Sequence, residues 1–235
     1  MRAVFCEIDN DTVMGAEVNI DGDRAHHLNV VRLKTNEDLL VLNGKGFYFY
    51  SKVLSISKKE IMIKIVKVES AKPKHQITLA IAMPKKEAFE DILKNSVELG
   101  ISQIFPLSSD FSQYNFEPNE RVEKILESAL VQSNNLYLPG ISQQETLADF
   151  LNKFTGPLVY FSAQPAVSGE KVHRDSKVTV LIGPEAGFSP TEEEQIRTHK
   201  NIIIIHLPTP ILRAPTAVAT SVGYLLGCQS GNILD

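Results

Sequence analysis

The sequence predicts an α/β protein in which a small N-terminal β-barrel (residues 1–72) precedes a larger domain (residues 73–235) with a mainly parallel sheet. Three observations predict this fold. Residues 1–70 have the pattern of strands, residues 71–76 carry a proline and charges as linkers do, and strands then alternate with helices. At 43% hydrophobic and 22% charged residues, the composition of the 235-residue chain is globular and excludes disordered, collagen-like and coiled-coil chains.

The N-terminal elements are predicted from alternation and from one hairpin signal. A helix is expected over residues 24–34 and a strand over 38–43. The glycine-rich stretch Asn43-Gly44-Lys45-Gly46 is typical of a hairpin turn. Strands over 47–57 and 61–68 follow, and the second alternates as a half-buried strand does. Strands that pack around one helix in about 70 residues suit a compact barrel.

The C-terminal elements are predicted from a change of period. Short apolar runs predict buried parallel strands, and apolar residues at helical spacing predict the helices between them. Gly100 is expected to end the first helix, and Ser189-Pro190-Thr191-Glu192 is a capping box that begins another. The expected strands are 77–83, 101–107, 158–161, 178–182 and 202–206, and the helices are 85–99, 118–134, 146–153, one from residue 189, and 215–228.

Ligands of parallel sheets bind beyond the carboxyl ends of the strands, and three such ends carry distinctive residues. They are residues 160–164, the glycine-containing loop 183–189, and the proline-rich loop 207–217. The 183–189 loop has neither P-loop nor dinucleotide-binding spacing, so a tight structural connection is an equal alternative. In the third loop Arg213 is the strong cation, with a surface salt bridge as its alternative role.

The net charge of −4 argues against a broadly basic nucleic-acid binder, but the charge is unevenly distributed. Residues 1–75 have a net charge of +2 and residues 76–235 a net charge of −6. Residues 58–86, the lysine run, have a net charge of +6. This run predicts local, salt-sensitive phosphate contacts, and a merely solvated face is its alternative. Its proposed contacts are Lys58, Lys59, Lys72, Lys74 and Lys85.

Smaller features narrow the class of protein. The two cysteines, Cys6 and Cys228, do not make a disulfide framework, and the six histidines lack metal-ligand spacing. No signal peptide or membrane-length apolar run is visible. We therefore expect a cytoplasmic protein without a metal and without a membrane partner.

Several motifs in order resemble the RsmE family of the SPOUT superfamily, whose members methylate N3 of a uridine in small-subunit (16S) ribosomal RNA. Residues 25–34 read AHHLNVVRLK, which is similar to the family's AHHL-x-VLRLK pattern. Residues 98–101 (ELGI) and 105–107 (FPL) resemble its ELGV and PL segments. Residues 182–189 (IGPEAGFS) are close to its IGPEGGFS loop, and 211–213 (ILR) match. The resemblance covers nearly the whole chain.

The resemblance implies a PUA-like barrel, a SPOUT domain with a deep trefoil knot, S-adenosylmethionine as cofactor, and a homodimer that acts on the small ribosomal subunit. It implies that Arg213 stabilises the reacting base and that PUA-like recognition uses His26, His27, Arg32 and Lys34. The adjacent histidines could instead lie one in the core and one in solvent. The implied cofactor residues lie on the three loops: Phe161, Ser162, Ile182, Gly183, Pro184, Glu185, Gly187, Leu207, Ile211, Leu212, Arg213, Thr216 and Ala217.

The chain departs from the family at five positions that are usually charged: Asn95, Phe111, Val131, Asn135 and Pro215. No general base is visible, and Glu185 is equally well explained as an acid at a helix N-terminus. We therefore expect a methyltransferase with an altered or weakened catalytic site. A non-catalytic RNA-binding relative and a flavodoxin-like small-molecule enzyme are the alternatives.

Overall fold

The computed structural model describes residues 1–162 and 177–230. The chain divides into a first unit, formed by residues 1–73 and 126–138, and a second unit, formed by the remainder. The predicted fold class is confirmed, with a curled N-terminal sheet and a C-terminal parallel sheet. The division at residues 72 and 73 stays a prediction of domain organisation.

The first unit contains a five-stranded sheet in the order β1-β3-β4-β5-β2. The β1–β3 pair is parallel and the other pairs are antiparallel. Two irregularities in the β4–β5 ladder break its register, and such bulges bend a sheet around its core. The strands are β1 (Arg2–Phe5), β2 (Glu17–Asp21), β3 (Asp38–Leu42), β4 (Phe47–Ile56) and β5 (Glu60–Ser70), of which β1 and β2 had not been predicted individually.

Helix α1 (Gly22–Val30) ends four residues earlier than predicted. The chain turns at Arg32, whose φ of 56° is left-handed. The Arg32 amide donates to the Asn29 carbonyl at 3.0 Å, and the Leu33 amide donates to the Leu28 carbonyl at 3.1 Å. These two bonds form a Schellman motif, in which the buried Leu33 returns to the core beside Leu28. The segment 24–34, which is predicted as a helix, therefore contains the helix and the turn that ends it.

Residues 136–138 hydrogen-bond to the predicted hairpin glycines. The Gly46 amide donates to the Leu136 carbonyl at 2.9 Å, and the Leu138 amide donates to the Gly44 carbonyl at 3.0 Å. The Tyr137 hydroxyl donates to the Ala71 carbonyl at 2.7 Å. This segment thus completes the first unit although it lies far along the chain.

The second unit contains a sheet in the order β12-β10-β11-β6-β7-β8, with β9 also paired to β7. Every pair among the described residues of this sheet is parallel. All residues of β6 and β11 are buried, as expected for central strands covered on both faces. The strands are β6 (Ile77–Ala82), β7 (Gln103–Ser108), β8 (Gly140–Ile141), β9 (Glu145–Thr146), β10 (Leu158–Ser162), β11 (Val178–Ile182) and β12 (Ile202–His206).

The helices of this chain follow the predicted apolar spacing. The predicted capping box is confirmed, because the Ser189 amide donates to the Glu192 carboxylate at 2.9 Å while the Ser189 side chain accepts from the Glu192 amide. Leu147, Phe150 and Ile196 belong to one apolar cluster over the sheet. The remaining helices are α2 (Lys86–Glu98), α3 (Glu120–Ser133), α4 (Leu147–Lys153), α5 (Pro190–Arg197) and α6 (Ala214–Ser230), and α2 packs against α6.

Candidate active site

The three loops selected from the sequence follow strands that end at one edge of the sheet. Strands β12, β10 and β11 are immediate neighbours and run parallel, so the loops that follow them leave from the same edge. Phe161 is half-buried and Ser162 is buried at the end of β10. The rest of the predicted first loop, from residue 163, lies outside the described residues.

The loop after β11 is a tight turn that opens toward solvent. Ile182 and Pro184 are buried, whereas Glu185 is exposed. The Gly187 amide donates to the Pro184 carbonyl at 2.9 Å, and Gly187 has a φ of 77° that other residues rarely adopt. A Cβ on Gly183 would lie 3.2 Å from the Phe188 ring, so the turn leaves little room for a side chain there.

Glu185 lies at a helix N-terminus. Its Oε1 accepts a hydrogen bond of 3.3 Å from the amide of Lys85, the residue before α2. The N-terminus of α2 has no cap from the Lys85 side chain. A carboxylate at this position satisfies an unpaired amide and interacts favourably with the helix dipole. The structural role considered for Glu185 therefore has a geometric basis.

The loop after β7 is hydrogen-bonded to the end of the 183–189 loop. Sequence reasoning missed this contact. The Asp110 amide donates to Glu192 Oε1 at 2.8 Å, and the Ser189 hydroxyl donates to Asp110 Oδ2 at 2.5 Å. Glu192 is only 7% exposed, so its carboxylate bonds to groups of the fold and not to solvent. The contact of Glu192 with Ser189 can be predicted locally because the two residues form a capping box. The second partner of Glu192, Asp110, lies far along the chain, and no local pattern indicates it.

The third loop presents its apolar and cationic side chains to solvent. Ile211 is 88% exposed, and Arg213 is also exposed. Within residues 1–162 and 177–230 the Arg213 guanidinium has no ion pair, so the structure gives no support there to the salt-bridge alternative. Asn95 Nδ2 donates to the Pro215 carbonyl at 3.2 Å and thereby ties α2 to the first turn of α6. Leu207, Leu212 and Ala217 are half-buried, and Thr216 is exposed.

The end of β10 is fixed by a polar network. The Tyr160 hydroxyl donates to Glu193, and Arg197 reaches both Glu193 at 3.2 Å and the Ser162 hydroxyl at 3.4 Å. Burial, helped by the hydrogen bond to Glu193, raises the pKa of Tyr160 far above its usual range. Tyr160 therefore stays protonated at neutral pH and cannot act as a general base.

The predicted RNA contacts of the first unit lie on its surface. His26 and His27 are both exposed, because Ala25 and Leu28 occupy the core-facing positions of α1. The alternative in which one histidine faces the core is therefore wrong. Asn29 Nδ2 donates to the Ser57 carbonyl at 3.0 Å and brings the β4–β5 turn against α1. Arg32, Lys34, Lys58 and Lys59 are exposed as well.

The rest of the lysine run is exposed but is divided between the units. Lys72 belongs to the first unit, and Lys74 and Lys85 belong to the second. A continuous phosphate-binding surface along the run stays a prediction.

A cavity of about 560 Å³ lies at the opposite edge of the sheet, where the strands begin. Thr78 and Thr179 line it with their hydroxyls 2.6 Å apart, together with Gln103 and Lys177. Parallel sheets bind ligands beyond the carboxyl ends of their strands, so we place the candidate site at the three loops and not in this cavity.

Two kinds of feature are absent from the residues that the structure describes. No helix in the described part of the chain is long and apolar enough to cross a membrane. Among the residues that the structure describes, no group of three histidine, cysteine or acidic side chains could hold a metal ion.

Family models match both parts of the chain. The RNA methyltransferase domain model matches residues 70–226, and the RNA methyltransferase PUA domain model matches residues 20–66. A ribosomal RNA small subunit methyltransferase E of Rickettsia conorii is 30% identical over 221 residues, which cover 88% of this chain and 90% of that protein. A ribosomal RNA small subunit methyltransferase E 2 of Borreliella burgdorferi is 30% identical over 85% of this chain and 86% of its own length.

Solved structures share the fold. The crystal structure of a ribosomal RNA small subunit methyltransferase E from Neisseria gonorrhoeae, bound to S-adenosyl methionine, matches with a TM-score of 0.86 at 23% identity and covers 96% of both chains. A predicted RNA methyltransferase from Thermotoga maritima matches with a TM-score of 0.74 at 28% identity, over 96% of this chain and 97% of that one.

Proposed function

We propose that this chain, which belongs to the ribosomal RNA small subunit methyltransferase E family, transfers a methyl group from S-adenosylmethionine to N3 of a uridine in 16S ribosomal RNA. The observation that carries the proposal is that the three strands before these loops end at one sheet edge, where the motifs of residues 182–189 and 211–213 follow them. The enzyme would work in the cytoplasm on the small ribosomal subunit. The knotted threading that the resemblance implies belongs to this proposal.

The loops suit a nucleoside cofactor that is held largely by backbone groups. The turn at 183–187 leaves open space beside Gly187, whereas Gly183 lies against the Phe188 ring. Ile211 and Leu212 offer apolar surface on the third loop. We assign cofactor binding to these loops, with Phe161 and Ser162 from β10 and Leu207, Thr216 and Ala217 from the third loop. Glu185 would shape the turn through its bond to the Lys85 amide.

The reaction requires uridine N3 to lose its proton as it attacks the methyl group of the sulfonium donor. Alignment of two reactants can supply roughly 7–11 kcal/mol of the barrier. The exposed Arg213 guanidinium is suited to stabilise the negative charge that develops on the uracil ring. Among the described residues near these strand ends, the carboxylates of Glu185, Glu192 and Asp110 accept hydrogen bonds within the fold. We therefore assign the mechanism to alignment and electrostatic stabilisation, which suits an enzyme of altered or weakened activity.

A homodimer fits the surface of α6. The helix is apolar almost throughout, and a helix of that kind is normally covered on all sides. Val218, Val222 and Leu225 are buried, yet Tyr224 is 39% exposed and Gly223 has open space beside it. A second copy of the chain would cover this face.

Arg32 is exposed and ends α1 in a left-handed conformation that glycine adopts more readily. Arg32→Gly is expected to increase the free energy of unfolding by roughly 1 kcal/mol, since glycine adopts this conformation without penalty. The same change should weaken RNA binding several-fold, because the variant has one cation fewer to neutralise a phosphate. Thermal unfolding and filter binding measure the two effects. Arg32→Lys is the control that keeps the charge and should bind RNA more tightly than Arg32→Gly. Unchanged affinity in Arg32→Gly would remove Arg32 from the RNA surface.

The double variant Lys58→Glu with Lys59→Glu is expected to bind RNA more weakly and with a smaller salt dependence. The slope of log affinity against log salt should fall by roughly 0.7 for each phosphate that the protein no longer neutralises. The matched control is Lys94→Glu with Lys124→Glu, which makes the same charge change at exposed helix lysines paired with acids of their own helices. If both double variants weaken binding equally, the β4–β5 turn is only a solvated surface.

The activity is tested by incubating the purified protein with 16S ribosomal RNA, in small subunits from a deletion strain, and labelled S-adenosylmethionine. Mass spectrometry of the nucleosides should show N3-methyluridine that is absent from the deletion strain. If the deletion strain contains as much N3-methyluridine in its 16S ribosomal RNA as the parent strain, the proposed substrate is wrong. Calorimetry addresses the alternative of a non-catalytic RNA-binding relative, which predicts no S-adenosylmethionine binding at millimolar concentration.

A further inference from the structure

Phe111 is the one exposed phenylalanine of this protein. The chain has eleven phenylalanines, all of them among the described residues, and the other ten are buried or half-buried. The Phe111 side chain is 43% exposed and follows β7 at the carboxyl edge of the sheet. A single exposed apolar residue is common on protein surfaces, so the inference depends on where this ring lies and how its turn is held.

The turn that carries Phe111 is held rigidly by hydrogen bonds on both sides. The Ser112 amide donates to the Ser109 carbonyl at 3.1 Å, and the Ser109 amide donates to the Ser112 hydroxyl at 2.9 Å. The Gln113 amide donates to the Met83 carbonyl at 3.0 Å. The ring is therefore presented from a fixed backbone, which lowers the entropic penalty of binding.

The turn that carries Phe111 is joined by hydrogen bonds to the 183–189 loop. Asp110, the residue before Phe111, bonds to Ser189 and Glu192 at the end of that loop. Phe111 is thus held within one residue of a direct contact to the loop that we assign to the cofactor. An exposed aromatic ring on a turn bonded to that loop is suited to stack on the reacting base or on its neighbour.

We propose that Phe111 stacks on an unpaired base of the RNA substrate at the carboxyl edge of the sheet. This inference rests on the proposed function. Stacking on an aromatic side chain is a general means of holding splayed-out RNA bases, and it acts on the face of the base rather than on its edge. Phe111 would hold the base in the plane required for attack and would not determine which base is chosen. This interaction needs no charge on the protein.

The inference is tested in the 235-residue chain with Phe111→Leu, which keeps an apolar side chain but removes the ring, and Phe111→Tyr, which keeps the ring. The dissociation constant for a short oligouridine should rise about 5- to 100-fold in Phe111→Leu and stay within about 2-fold in Phe111→Tyr. With 16S ribosomal RNA, Phe111→Leu should raise the KM for RNA while its affinity for S-adenosylmethionine stays unchanged. Equal binding by Phe111→Leu and the parent protein overturns the inference.

A second measurement uses the absence of tryptophan from the chain. Phe111→Trp introduces a single indole whose fluorescence should be quenched by oligouridine at the concentrations that bind. Val13→Trp, on an exposed residue of the first unit, is the control for collisional quenching and should respond little. Equal quenching in both variants contradicts the inference.

The outcomes separate this inference from the proposed function. If the parent protein methylates 16S ribosomal RNA and Phe111→Leu does so with the same KM, only the stacking interaction is refuted. If the parent protein neither binds nor methylates RNA, the proposed function fails and the stacking interaction with it. If Phe111→Leu instead changes the sedimentation coefficient, the ring is a contact between two copies of the chain and the inference is overturned.

Discussion

Replacing Arg213 by alanine is expected to lower the rate of RNA methylation by about 10²–10³-fold at saturating RNA and cofactor, which is the effect of removing one stabiliser of developing charge. The guanidinium is exposed, and the described residues provide it with no ion pair. Because the side chain is exposed, a substrate bound at this edge of the sheet can reach its charge. Single-turnover measurement of methyl transfer isolates the chemical step from product release.

Two comparisons make this prediction specific. Arg121→Ala removes another exposed cation, one that is paired with Glu90, and it should leave the rate unchanged. Arg213→Lys keeps the charge but loses the planar fork, so we expect an intermediate rate. A rate in Arg213→Ala equal to that of the parent protein would show that Arg213 takes no part in the chemistry.

Replacing Gly46 by alanine is expected to lower the free energy of unfolding by about 2–5 kcal/mol. Gly46 has a φ of 98°, where a side chain is strained, and an added Cβ would lie 2.3 Å from the Tyr137 hydroxyl oxygen. Tyr137 cannot move freely because its hydroxyl is bonded to the Ala71 carbonyl. Denaturant unfolding followed by circular dichroism measures the decrease.

Gly15→Ala is the matched control for Gly46→Ala. Gly15 has a φ of 94°, but nothing lies within 4 Å of the added Cβ. It should therefore cost only the conformational strain, about 1–2 kcal/mol. The difference between the two variants measures the steric conflict with Tyr137. Equal decreases would mean that residues 136–138 yield without penalty.

The sequence predicted those features of the fold that have a local period or a local motif. The buried strands Ile77–Ala82 and Val178–Ile182 were predicted from apolar runs, and the helix that begins at Pro190 was predicted from its capping box. Each is specified by neighbours in the chain, so each could be found without a structure.

The features that sequence reasoning missed depend on partners far along the chain. The bonds between Asp110 and the pair Ser189 and Glu192 join residues about 80 positions apart, and no pattern in either segment indicates them. The early end of α1 was missed because arginine is an uncommon residue for the left-handed position of a Schellman motif. The candidate site follows from the three loops and the matched motifs, whereas the bonds from Asp110 to Ser189 and Glu192 depend on how distant strands pair in the fold.

The central position of β6 governs how this protein can fold. The side chains of Thr78 and Thr179 meet across the β6–β11 pair although they are 101 residues apart in the chain. During synthesis β6 is made long before its partner, so one of its edges has no partner while the intervening residues emerge. Long-range parallel pairing is slow, and unpaired edges are prone to aggregation. The same strand order that assembles the site thus makes the nascent chain dependent on rapid completion or on chaperone protection.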